Sequence, residues 1–406
     1  MIIKKIKGIE MRKKNVIIRS GSLRMGGLER VLIEVLQNID KKKYNLTLVI
    51  DDDCGQGNIF EKDIPKEIPY YFLKPQKLIE KTNYYKSRRK NILYKLMYNI
   101  YMNIETYIKS KNIKKLIKKL GKIDVFIDYD AGATKYIENI EADKKVVWIH
   151  NSIPNLKKSE SKIKRFGKRL EKYNKIVAIC DEMKEELTDI YPNLKEKIIR
   201  IYNPFNFSRV LNLKDDLSEL NEKDRNLLKE DYCIAISRLD TVQKDYKTLL
   251  KAFQILKSKG IDKKLYIVGD GPSKKEIENM IKEYDLIEEV KLLGRFKNPY
   301  VWLNNADFFI HSSKYEGFGL VLIEAAILDK LVISSNCPVG PTEILENGKS
   351  GILFNVGASE ELAEKIEKVL NDKNLRNRYI LSMKKRREDF KKENILKEYE
   401  KLIDEI

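Results

Sequence analysis

Histidine is nearly missing from this chain, with two in 406 residues, and cysteine is sparse, with four at positions 54, 180, 233 and 337. The four thiols are far apart and share no metal-ligand spacing, so neither a disulfide framework nor a cysteine-rich metal site is encoded; they read as reduced, mostly buried thiols. No apolar run reaches the ~20 residues that cross a bilayer. The opening Met1–Lys7 has basic residues but lacks the apolar core of a secretory signal. The expectation is therefore a cytoplasmic protein. Met11 stands as an alternative start, because the strand-like Asn15-Val16-Ile17-Ile18-Arg19 follows it. The dinucleotide spacing GxGxxG is also missing after that strand.

What is present is enough apolar material, 42% of the residues, for packed cores in a chain too long for one ordinary domain. Short apolar strands alternate with helical stretches: residues 15–19, 45–50, 124–127, 145–149, 175–179 and 197–201. After a hinge near Asn203-Pro204 and a charged stretch from Lys214 to Asp231, a second series follows at 233–237, 264–268, 290–293, 307–310, 331–334 and 351–354. Such alternation predicts parallel sheets wrapped by helices, hence an α/β chain of two doubly wound domains. Ligands of such sheets bind at the carboxyl ends of the strands, and two facing domains place the site in the cleft between them. The boundaries expected are 1–204, 205–375 and a helical tail at 376–406.

The net charge of +19 is uneven. From Lys74 to Lys122, 15 Lys and Arg face only Glu80 and Glu105; from Lys157 to Lys175, 9 face Glu160 and Glu171. The first stretch includes a basic insertion at about 76–121 that reads as two helices on the spacing of Ile92, Leu93, Leu96, Met97, Ile100 and Ile104. Tyr84, Tyr85, Tyr94, Tyr98, Tyr101 and Phe166 are interleaved with the cations. Basic segments mixed with amphipathic rings suit an anionic membrane surface; a solvated helix face is the plainer reading. No RNA- or DNA-binding motif accompanies the charge, so nucleic acid is not expected.

The most informative string is Ser312-Ser313-Lys314-Tyr315-Glu316-Gly317-Phe318-Gly319-Leu320-Val321-Leu322-Ile323-Glu324-Ala325-Ala326. From Leu320 to Leu328 every residue but Glu324 is apolar, which predicts a buried helix carrying one carboxylate, a costly placement without partners. The helix starts near Gly319 with free N–H groups and its positive dipole end toward the cleft. Seven residues separate Glu316 from Glu324, so both can face one pocket holding an anionic or hydroxyl-rich ligand. The residues alone leave equally open a structural Glu324 satisfied by hydroxyls or an Arg.

The whole string, continuing through Ser334-Ser335-Asn336-Cys337-Pro338-Val339-Gly340-Pro341-Thr342-Glu343-Ile344, resembles the donor-site signature of the retaining glycosyltransferases of family four, which have the two-domain GT-B fold. That resemblance implies a nucleotide-sugar donor, here a UDP-hexose or UDP-N-acetylhexosamine, with no further cofactor and no metal. The charge distribution alone points to a lipid-linked or other saccharide acceptor, with the enzyme peripheral on the inner face of the cell membrane; the resemblance adds that the product belongs to bacterial surface glycans such as capsule or lipopolysaccharide. The resemblance also implies that Glu316 orients the sugar, that Phe318, Gly319 and Leu320 offer backbone donors, and that Glu324 grips the ribose. The helical tail is expected to cross back onto the first domain.

Other positions take meaning beside this string. Gly26-Gly27-Leu28-Glu29-Arg30, a turn into a helix after the first strand, resembles the loop that closes over the donor diphosphate; alone it is a plain strand-to-helix turn. His150 ends the strand at 145–149, where a His in the resembling enzymes touches the transferred sugar, whereas His311 reads as support for the Glu316 loop. Arg238 and Lys244 resemble the paired cations that stabilise the leaving diphosphate, although the family usually has Gly where Asp245 stands. Gly269, Arg295 and Phe296 match loops that border the nucleobase. Asp51-Asp52-Asp53 and Asp128-Tyr129-Asp130 have the acidic spacing of metal-dependent transferases and read instead as strand-end loops, with Asp130 near an acceptor. The rivals are a non-catalytic nucleotide-sugar-binding assembly protein and a UDP-sugar epimerase, which would be expected to carry more cleft histidines than two.

Overall fold

The computed structural model describes residues 12–157 and 159–406. The opening Met1–Lys7, the alternative start at Met11 and Lys158 of the second basic stretch lie outside the described residues. Two parallel sheets form. The first runs in the order β3-β2-β1-β4-β5-β6-β7, from β1 (Lys14–Ser20), β2 (Tyr44–Asp52), β3 (Tyr70–Lys74), β4 (Val125–Asp128), β5 (Lys144–Ile149), β6 (Lys175–Ala178) and β7 (Ile198–Arg200). The second runs β10-β9-β8-β11-β12-β13, from β8 (Tyr232–Ile236), β9 (Lys264–Val268), β10 (Val290–Gly294), β11 (Phe308–His311), β12 (Leu331–Ser335) and β13 (Ile352–Phe354). Their central strands are near-continuously apolar because helices cover both faces; Val16, Ile17 and Ile18 of β1 and Phe308, Phe309 and Ile310 of β11 are fully buried.

Strand order reverses beside β1 in the first sheet and beside β8 in the second. At such a switch point the loops after neighbouring strands diverge and leave a crevice at the carboxyl edge. The loops after β1, β8 and β11 therefore hold the cleft, and those are the loops that carry the glycines, the cations and the two glutamates.

Helices that matter for the site are α1 (Gly27–Asn38), α2 (Gln76–Ser87), α3 (Ile92–Leu120), α4 (Asp181–Ile190), α5 (Tyr246–Ser258), α6 (Leu320–Ile327), α7 (Lys373–Arg386) and α8 (Lys392–Glu405). The basic insertion is the α2–α3 hairpin. Near the boundary two segments cross side by side: Phe205 N donates to Phe390 O at 2.9 Å and Lys392 N to Phe205 O at 3.0 Å. Before this crossing α7 lies on the second sheet's side, with Arg376 on Asp307 at 3.2 Å. After it α8 lies on the first, where Lys14 Nζ donates to Ile403 O at 2.7 Å and Tyr399 stacks on Trp148 with ring centroids 5.0 Å apart, a contact worth about 0.5–1.5 kcal/mol beyond its buried area.

Candidate functional site

A cleft of about 780 Å³ opens between the two sheets, lined by residues of both. All the site residues expected from sequence reach its lining: Gly26, Gly27 and His150 from the first half; Arg238, Lys244, Gly269, Arg295, Phe296, Glu316, Phe318, Gly319, Leu320 and Glu324 from the second.

Its floor is the loop after β11. Glu316 is buried, and its Oε1 accepts from the Lys244 ammonium, from Ser313 Oγ at 2.7 Å and from His311 Nε2 at 2.9 Å. Among the described residues Oε2 has a single long contact, Gln243 Nε2 at 3.4 Å. One oxygen is thus saturated by the protein and the other has lone-pair capacity for a ligand hydroxyl. Burial works against the charge, but Lys244 and the bond from His311 outweigh it and hold the carboxyl far below the ordinary carboxylate range. His311 is pushed down by burial and then by Lys244, which suits a neutral imidazole donating from Nε2.

Gly319 caps α6 with φ at 90°, a left-handed conformation that a side chain would strain. No side chain among the described residues caps this end of the helix, so its N–H groups and positive dipole face the cleft. The end of α1 likewise has no side-chain cap among the described residues, but the Glu29 carboxylate of its first turn lies against Gly26 and accepts from Ser22 Oγ at 3.0 Å, so negative charge already sits at that end.

Glu324 is half-buried rather than fully enclosed. Tyr300 Oη donates to it at 2.8 Å and Arg30 Nη1 at 3.3 Å. Arg30 belongs to α1, so this carboxylate is bridged across the domain boundary by a residue of the first half. One turn further, Glu34 on α1 accepts from Arg209 at 2.9 Å and from Asn206 at 3.0 Å. Sequence reasoning missed Arg30, Tyr300 and Gln243; Arg30 stood inside the quoted Gly26–Arg30 string, but a tandem Gly gives no sign of what the Arg four residues on will touch.

The two expected cations are unequal. Lys244 is buried and fixed on Glu316. Arg238 is not fixed as expected: its side chain is 66% exposed at the rim and pairs with Asp240. Asp245, the departure from the family pattern, is the N-cap of α5, accepting from Thr248 N at 3.3 Å and Thr248 Oγ1 at 2.7 Å, a role that a Gly lacks the side chain for.

His150 follows β5 at the cleft. Burial pushes its pKa down to about 4, so it is neutral at physiological pH, and its Nε2 is buried with no partner among the described residues. A Cβ on Gly317 would overlap the His150 carbonyl, so the two domains touch here through a glycine. Gly317→Ala is expected to force them apart at a cost of about 1–3 kcal/mol, seen as a lower unfolding temperature and a larger radius of gyration in small-angle scattering. An unchanged radius would mean the closed contact is not held in solution.

The acidic runs are not separate strand-end loops. Asp51 in β2 and Asp128 and Asp130 around the end of β4 converge on the buried Arg19 of β1, and Lys109 of α3 joins Asp51 at 2.8 Å. They build one internal ion network. No group of three His, Cys, Asp or Glu among the described residues is arranged to hold a metal.

A second bridge lies behind the cleft. Glu343, in the short helix Pro341–Ile344 that follows β12, accepts from the N-terminal amides of α4, Asp181 at 3.0 Å and Glu182 at 2.9 Å, and from Tyr202 Oη at 2.6 Å. Glu182 in return accepts from Gly340 N at 2.9 Å. Each domain thus supplies a carboxylate to the other's backbone.

Residues 218–386 match the family model described as glycosyl transferases group 1. The chain is 31% identical over 264 residues to an uncharacterized glycosyltransferase of Methanocaldococcus jannaschii, covering 57% of this chain and 64% of that protein. It is 31% identical over 215 residues to a Campylobacter jejuni transferase of N-acetylgalactosamine onto a diphospho-undecaprenol-linked saccharide, 52% of this chain and 58% of that one. It is 32% identical over 209 residues to the capsular polysaccharide biosynthesis glycosyltransferase CapM of Staphylococcus aureus, 50% and 53% respectively. The chain thus spans between half and two thirds of the length of these curated relatives. Among solved structures, HepE of Anabaena in complex with UDP-glucose superposes with a TM-score of 0.73 at 17% identity, covering 97% of this chain and all of that one. A variant of S. aureus TarM solved with UDP gives 0.71 at 16%, covering 96% and 99%. The arrangement of two parallel-sheet domains is the GT-B fold that these structures share.

Proposed function

We propose that the protein is a retaining, metal-independent glycosyltransferase of family four. It would move a hexose or N-acetylhexosamine from a UDP sugar onto a lipid-linked glycan at the inner face of the membrane, in the assembly of a bacterial surface polysaccharide or glycan. The observation that carries this reading is the meeting of Glu316, Glu324, the fixed Lys244 and the uncapped end of α6 in one interdomain cleft. Two carboxylates suit the hydroxyls of a sugar and a ribose, and a cation beside a bare helix end suits the diphosphate between them.

In this reading the bond from sugar C1 to the β-phosphate oxygen breaks as the acceptor oxygen bonds to C1 on the same face, and the acceptor proton passes to the leaving phosphate. Negative charge grows on the diphosphate, and Lys244, the amides of Phe318 to Leu320 leading into α6 and Arg238, once it turns from Asp240, stabilise it. Neutral His150 offers an uncharged imidazole to the sugar. Gly269, Arg295 and Phe296 border the base, and the domains expected at 1–204 and 205–375 divide acceptor from donor, with 376–406 returning to the first.

The donor and lipid-linked acceptor are supported by what the relatives' names print: UDP-glucose for HepE and a diphospho-undecaprenol-linked saccharide for the Campylobacter enzyme. The test is a thermal-shift and hydrolysis screen of nucleotide sugars in chelator. One UDP sugar is expected to raise the unfolding temperature and be slowly hydrolysed. Binding without any hydrolysis or transfer would favour a non-catalytic binder; release of an epimerised sugar nucleotide would favour an epimerase. A strict need for a divalent metal would overturn the metal-independent site.

A further inference from the structure

We propose that the outer face of the α2–α3 hairpin is the surface by which the protein docks onto an anionic lipid bilayer. The inference rests on the proposed membrane-borne acceptor and names the element that meets the membrane.

The hairpin is anchored at one end alone. At ~1.5 Å per residue, the 29 residues of α3 extend ~43 Å. Ile113, Leu116 and Ile117 are buried in the first core. Just before them, Asn112 donates to Leu73 O at 2.8 Å, Lys109 to Asp51 at 2.8 Å and Lys74 to Glu105 at 2.6 Å. Those partners sit at the carboxyl ends of β2 and β3. So α3 crosses the carboxyl edge of the sheet between residues 105 and 112, and residues 92–104, ~20 Å of helix, project beyond it on the side where the cleft opens.

On this projecting part the apolar side chains point the wrong way for a free helix. Ile92 is 80% exposed, Leu93 68% and Leu96 57%, with Ile100 and Ile104 exposed after them and Tyr107 continuing the row at the sheet edge. Their spacing of three and four residues puts them on one face. The inner face is occupied by a tyrosine cluster with α2, Tyr85 packing on Tyr101 at 5.0 Å and on Tyr94 at 6.1 Å. Elsewhere most leucines and isoleucines are buried in two cores and the exposed ones, Leu211, Leu217, Ile287 and Leu381, form no such run along one helix, so an outward aliphatic stripe of this length marks a surface with a partner.

Charge selects the partner. Lys86, Arg88, Arg89, Lys90 and Lys95 surround the start of the stripe. Of the two acids nearby, Glu105 is buried and taken by Lys74, and Glu80 is held by Gln76. A second copy would bring the same cations into contact, and a nucleic acid has no use for the aliphatic stripe. Anionic headgroups over acyl chains satisfy both features, with the stripe in the interface and the cations among the phosphates. Docked so, the bilayer lies on the cleft side of the first domain, where a lipid-linked acceptor would arrive.

The experiment is co-sedimentation of the full chain with phosphatidylcholine vesicles, with and without phosphatidylglycerol. The bound fraction is expected to rise about tenfold or more with the anionic lipid. Combined Leu93→Gln, Leu96→Gln and Ile100→Gln is expected to reduce binding about tenfold or more, without lowering the unfolding temperature or the shift given by the UDP sugar, since these side chains are exposed and outside the cleft. Combined Arg88→Gln, Arg89→Gln and Lys90→Gln is expected to remove the preference for anionic lipid. Native chain that ignores both vesicles while binding a UDP sugar overturns the docking surface and spares the donor site; vesicle binding without any donor binding does the reverse. Equal binding by the stripe variant overturns the proposal, as does concentration-dependent dimerisation of the native chain that the stripe variant abolishes in sedimentation velocity.

Discussion

Lys244→Met is expected to lower sugar transfer by two to three decades and to lower the unfolding temperature. Both effects have one source, the buried ion pair with Glu316. Loss of a fixed cation from a developing diphosphate charge costs about 3 kcal/mol in the barrier, and leaving a buried carboxylate without its counter-charge costs up to about 3–5 kcal/mol of stability, eased by the bonds it keeps from Ser313 and His311. The pH dependence separates them. Glu316 is held below its unfolded value, so the pair contributes stability above the ordinary carboxylate range, near pH ~4.3, and that stability is lost as pH falls through the folded value. The deficit of the variant should therefore be largest near neutrality and shrink on acidification, as its Glu316 takes up a proton. Adding Glu316→Gln should restore much of the unfolding temperature and none of the transfer. Full transfer by Lys244→Met would remove this lysine from the leaving-group role.

Glu324→Ala is expected to weaken the UDP sugar about tenfold to hundredfold and to erase its thermal shift in chelator. A hydrogen bond to a charged group contributes about 1.5–3 kcal/mol, and the carboxylate also holds Arg30 and Tyr300 in place. Those two roles come apart in Arg30→Met, which removes the bridge from α1 and leaves the carboxylate and its tyrosine. If Arg30→Met weakens the donor as much as Glu324→Ala while Glu324→Gln keeps affinity, the carboxylate serves the bridge rather than the ribose. Titration of each variant with the same sugar nucleotide decides it.

The strands of the second sheet were all legible, because each is a short β-branched or aromatic run between polar turns. In the first sheet β3 was not. Tyr70-Tyr71-Phe72-Leu73-Lys74 lies between Pro69 and Pro75, and prolines on both sides read as loop; an edge strand tolerates them because one side of its ladder is open. The loops that gather at the cleft could be named because strand-end glycines and an acid in an apolar helix are local features. Their pairings could not. Lys244 finds Glu316 across 72 residues and Arg30 finds Glu324 across 294, distances over which nothing in a single sequence records who meets whom. The acidic runs misled for the same reason: Asp51 and Asp128 looked like two loops until Arg19 drew them into one network.

The exchanged carboxylates behind the cleft would serve as a fulcrum if the two domains moved. Glu343 satisfies the first amides of α4 and Glu182 satisfies Gly340, and an amide left bare in that seam costs about 1–3 kcal/mol. A motion that kept both would be a lever stroke about this point, with little travel at Gly340 and far more at the opposite lip, where Arg30 meets Glu324. Opening and closing of the cleft would then be a jaw movement, with its bite at α1 and α6 and its axle where Val339-Gly340 enters the short helix Pro341–Ile344.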